Sequence, residues 1–88
     1  MPNVYAPALA MTLINLAVFY QEVLPKREKS LAFVAEAILI LRPIVEAVPF
    51  TREYMRVALA VLRDWNLNDE EIGRLIDEKM MEAGENRA

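Results

Sequence analysis

The stretch ALAMTLINLAVFYQEVL, residues 8–24, decides how this chain folds. Glu22 is the first charged side chain, so positions 1–21 carry no charge but the amino terminus to mark a solvent face. A helix drawn through these residues is apolar nearly all round, and such a helix belongs in an interior. Three environments supply one: a bilayer, the chain's own core, or a second copy of the chain.

Punctuation on either side sets the helix limits. Pro7 suits the first turn of a helix, where its missing N–H costs nothing, and Pro25 ends the segment. The sequence predicts an all-α bundle of four helices, over 7–24, 26–47, 52–65 and 69–83, in one domain spanning 1–88 with residues 85–88 frayed. The second segment is expected to kink or break near Pro43, with Arg42 pushed out of α geometry. Thr51 is the expected N-cap of the third helix, with Phe50 and Met55 as its hydrophobic staple. Met55, Ala58, Leu59, Leu62 and Trp65 then recur at helical spacing, widened by Val57 and Val61. The fourth helix opens LNDEEIGRLIDEKM: Asn68 caps, Glu71 closes a capping box, and Leu67 staples to Ile72. Asp69, Glu70 and Glu71 favour the positive end of its dipole. Ile72, Leu75, Ile76 and Met80 form its apolar stripe, and Gly84 is the expected stop. No run alternates with period two, so no sheet is predicted.

A bilayer is the weakest of the three environments. Residues 4–24 are long enough to span, with Lys26, Arg27 and Lys29 at one end. The same window holds Pro7, Thr12, Asn15, Gln21 and Glu22, and the next apolar run holds Glu36, Arg42, Pro43 and Glu46. Eighty-eight residues bury only about 60–65% of their unfolded surface, yet 56% of this chain is hydrophobic. Two helices that are apolar on most faces outrun what two partly polar helices can cover. A homo-oligomer, a dimer or higher, resolves the surplus by packing the first two helices against their symmetry mates. Leu13, Leu16, Val34, Ile38 and Leu41 are the expected seam. Asn15 then either fixes register in that seam or marks, with Thr12 and Glu22, a thin solvated stripe.

Composition narrows the chemistry. The chain has no cysteine and no histidine, which removes thiolate chemistry and the commonest general base and metal ligand. No phosphate-binding Gly-rich loop, HExxH or G-x-S-x-G occurs. Glu36, inside SLAFVAEAILIL, is the one carboxylate set in a long apolar run, and is read as an outward or paired residue. No enzyme activity, cofactor or metal is expected, and the N-terminus lacks the features of a secretory signal, so the location expected is cytoplasmic.

Arg52, Arg56 and Arg63 share one side of the third helix, as a solvated face or as a dock for an acidic protein partner. Residues 64–88 hold three basic and eight acidic side chains, a balance of −5 that disfavours nucleic acid. The LNDEEIGRLI portion nonetheless resembles the first helix of a helix-turn-helix, but EKMMEAGENRA after it offers no basic second helix; the alternative pairing, third helix with fourth, implies a DNA-binding regulator with a degenerate motif in 52–83. Helix 69–83 as the recognition helix would bring Asp-Glu-Glu to the phosphates. The favoured expectation is a non-enzymatic protein–protein interaction module, an adaptor, inhibitor or regulatory subunit. Its profile is similar to that of small regulators encoded by viruses and mobile elements. The alternatives are the DNA-binding regulator and a single-span membrane-associated protein.

Overall fold

The computed structural model describes residues 5–87. Four helices follow in order: α1 (Tyr5–Glu22), α2 (Arg27–Leu41), α3 (Thr51–Asp64) and α4 (Asp69–Arg87). The fold is all-α, with no strand among the described residues. Short connections bring α2 back along α1, and α3 packs on both.

The core is built on small residues. Ala10 and Ala17 of α1, Ala35 and Ala37 of α2 and Ala58 of α3 are fully buried. Alanine lets helix backbones approach closely, and the larger Leu13, Ile14, Val34, Leu41 and Leu62 fill the space beside them. One face of α1, at Pro7, Ala10, Leu13, Ile14 and Ala17, is therefore committed to the chain's own interior.

Ser30 ties three elements together. Its hydroxyl donates to the Ala17 carbonyl at 2.7 Å and accepts from the Trp65 indole N–H at 2.8 Å. The side-chain amide of Gln21 donates to the Val61 carbonyl at 2.9 Å, a second link from α1 to α3. Ser30 is fully buried, so its two bonds satisfy a polar group that would otherwise be costly there.

Helix ends differ in part from the sequence expectations. Pro43 does end regular helix at Leu41, but Arg42 keeps α geometry (φ −51°, ψ −47°) and its N–H still reaches the Ile38 carbonyl. The bias a proline puts on its predecessor is outweighed here by the hydrogen bonds of Arg42 and of Val45, which donates to Leu41. Residues 42–50 continue as successive turns rather than as a kinked helix to residue 47. Thr51 is not an N-cap. It is the first residue of α3, buried, with its hydroxyl donating backwards to the Val48 carbonyl at 2.6 Å. Phe50 takes the cap position without a side-chain bond and meets Tyr54 edge-on at 5.6 Å.

The capping box of α4 forms as read: Asn68 N–H to Glu71 Oε1 at 2.9 Å and Glu71 N–H to Asn68 Oδ1 at 2.8 Å. The helix continues past Gly84 to Arg87, beyond the expected stop; Ala88 lies outside the described residues. Between α3 and α4 the chain reverses through Asn66, at φ 69°. Asn66 N–H bonds the Arg63 carbonyl and Leu67 N–H the Leu62 carbonyl, the paired pattern of a Schellman cap, with Leu62 and Leu67 both in the core. Asparagine tolerates this left-handed geometry better than residues without a short polar side chain. Asn66→Ala is expected to cost about 1 kcal/mol and Asn66→Gly to stay within about 0.5 kcal/mol of the parent. Urea midpoints check both; an unchanged Asn66→Ala midpoint would contradict the strain assigned to the cap.

Candidate interaction surface

With one face of α1 in the core, the opposite face remains. Tyr5, Ala8, Thr12, Asn15, Leu16, Phe19 and Val23 are exposed on α1 and just beyond it. At 100° per residue they fall within a sector of roughly 100°, a continuous strip along the outer side of the helix. No charged side chain lies within that strip, and Glu22 stands at its edge. Five of the eight large hydrophobic side chains exposed among the described residues belong to this region: Tyr5, Leu16, Phe19, Val23 and Leu24. An outer helix face without charge is unusual on a solvated surface, where polar residues normally occupy the side opposite the core.

The strip is held in place from behind. Phe19 meets Tyr20 edge-on at 5.2 Å, and Tyr20 stacks on Phe33 of α2 at 5.9 Å. The Lys29 ammonium lies 5.5 Å from the Tyr20 ring centre. Side-chain motion at the C-terminal end of the strip is thereby restrained, which lowers the entropy cost of binding there.

The expected seam residues divide. Leu13, Val34, Ile38 and Leu41 lie in the core of a single chain, and only Leu16, 37% exposed, is on the surface. The reason is the alanine packing, which closes α2 over one face of α1 and consumes the apolar surplus of α2. Tyr5, Phe19 and Val23 belong to the exposed face and were not singled out from sequence. An almost uniformly apolar helix gives no phase from which to select them.

The arginines are exposed, on the outer side of α3. Arg56 pairs with Glu53 at 3.0 Å and Arg52 approaches Glu46 at 3.9 Å, so both find local partners rather than the acidic α4. Arg63 makes no ion pair among the described residues. Exposed pairs of this kind contribute little stability and leave the guanidinium groups accessible.

α4 rests mainly on α2, and of its described side chains only Ile76 is buried. Met80, placed in the apolar stripe by its spacing, is half exposed, and beside it Glu36, Leu39, Arg42 and Pro43 line an open groove. Glu36 faces outward there. A helix-turn-helix needs its two helices packed on each other; α3 and α4 make little mutual contact, and the acidic first turn of α4 is exposed. No helix among the described residues is long and apolar enough to cross a membrane. No group of acidic residues among them is placed to hold a metal ion. Comparison of the chain with protein-family models, with curated proteins and with solved structures found no match.

Proposed function

We propose that this chain is a small, non-enzymatic protein–protein interaction module of the cytoplasm that acts as a homodimer through α1. The observation that carries the reading is the uncharged outer strip of α1, exposed in the single chain although every other helix turns charged residues outward. A second copy covers it, and Leu16 is the one residue of the expected seam that takes part. The arginine side of α3 is the second working surface. Arg63 and the accessible heads of Arg52 and Arg56 present positive charge to an acidic protein partner, as an adaptor or regulatory subunit would.

Light scattering on a sizing column, without detergent, is expected to give a mass near twice the 10.1 kDa chain. Leu16→Glu combined with Phe19→Glu places four carboxylates in a two-fold interface, and like charges in contact cost several kcal/mol. This variant is expected to run as a monomer with the parent's helical circular dichroism. A parent that stays monomeric up to a few hundred micromolar would remove the dimer from the proposal.

A further inference from the structure

The strip carries enough detail to assign how the two copies meet, given the self-association just proposed. We propose that α1 packs antiparallel on α1 of a second copy about a two-fold axis at residue 14. Tyr5 then lies level with the partner's Val23, Leu9 with the partner's Phe19 and Thr12 with the partner's Leu16.

The first argument is the seam. Tyr5, Leu9, Thr12, Leu16, Phe19 and Val23 alternate in steps of four and three, the spacing that keeps a helix face against a neighbour. Leu9 is partly buried and the other five are exposed in the single chain. The second is Asn15, the most polar residue on the strip, which flanks this seam on one side. A two-fold axis running along the helices would send the two Asn15 side chains to opposite flanks, each beside apolar residues. An axis crossing the helices keeps both on the same flank, about 3 Å apart along the helix direction. There each amide can donate to the other's carbonyl, since a carboxamide carries both functions. The third is the helix dipole: antiparallel neighbours place opposite ends together, whereas parallel ones align like ends and bring Glu22 level with its own copy.

The strip is complementary to itself under this two-fold: apolar residues meet apolar residues, amide meets amide, and no charged side chain on it calls for a partner of opposite sign. A lipid surface is the poorer occupant, because helices that lie on membranes flank the apolar side with Lys and Arg, and α1 has neither.

The chain's lack of cysteine makes the register directly testable. Tyr5 and Val23 are 67% and 68% exposed, so cysteine at either leaves the fold undisturbed. In the antiparallel pair same-numbered positions lie roughly 27 Å apart along the helix. Tyr5→Cys and Val23→Cys, mixed and oxidised, are expected to form the heterodisulfide at least ~10-fold faster than either variant forms a homodisulfide alone, because a disulfide needs Cα atoms within about 7 Å. Asn15→Asp is expected to weaken the dimer by ~10-fold or more through the charge pair at the axis. Rapid self-linking of Val23→Cys would establish a parallel pair and overturn the proposal. Variants that sediment as dimers but do not cross-link when mixed would overturn this register while leaving self-association intact. Monomers in sedimentation would overturn both, and monomers that co-sediment with phosphatidylcholine vesicles would assign the strip to lipid.

Discussion

A chain carrying Leu41→Ala is expected to melt roughly 12–24 °C below the parent, a loss of about 3 kcal/mol. Leu41 is fully buried at the last turn of α2, where α2 closes on the common core. Truncation removes about three methyl or methylene groups, each contributing about 0.8 kcal/mol of transfer free energy, and adds a cavity that packed helices only partly refill. A domain of this length has about 4–13 kcal/mol of stability in all, so the change consumes a large share. Thermal melts by far-UV circular dichroism at one fixed protein concentration measure it. Leu16→Ala is the matched comparison, since the same atoms are removed from the surface. Its effect is expected in the dimer mass rather than in the melt of a diluted sample. Equal melting of Leu41→Ala and the parent would show that Leu41 is not inside a single chain's core.

The second large effect belongs to Ser30. Ser30→Ala removes the acceptor of the Trp65 indole N–H and the donor to the Ala17 carbonyl in one step. A buried donor left without a partner costs its full desolvation, so about 2 kcal/mol is expected. Trp65→Phe removes the donor itself but also the larger ring, leaving Ser30 one bond short. The double variant is expected to be about 1 kcal/mol less destabilised than the sum of the two, because the second change no longer strands a partner. Denaturant midpoints supply all four corners of the cycle. Trp65 is the only tryptophan, so its emission in Ser30→Ala reports the altered indole directly. Strict additivity would mean that the 2.8 Å contact contributes nothing to stability.

The sequence carries the helices where the chemistry is local. Pro25, Pro43 and Pro49 punctuate it, and the Asn68–Glu71 box forms between residues three apart, so its spacing alone announces it. The phase of α1 is a different matter. Hydrophobicity is spread over most of its faces, and the residues that select the inner one are alanines, whose small apolar area weighs little in a periodicity but whose size decides how near two helices come. Ala10 and Ala17 mark that inner face. With them given less weight than leucine, Leu13, Val34, Ile38 and Leu41 look available for a second copy when they are occupied by the first. Ser30 was illegible for a simpler reason: its partners are 13 and 35 residues away, and nothing near it in the chain points to them. Thr51 has the right residue type for a cap, but the turn at Val48 offers its hydroxyl an acceptor one turn earlier.

The way α4 is attached has a kinetic consequence. α1, α2 and α3 share one core, each packing on the other two. α4 instead returns past α3 to rest on α2, and buries Ile76 as its one fully enclosed side chain among those described. Its capping box favours a helix before it docks, yet little apolar area is gained when it does. α4 is therefore the helix expected to open first from the folded chain, and its amides to exchange with solvent ahead of those of α1, α2 and α3.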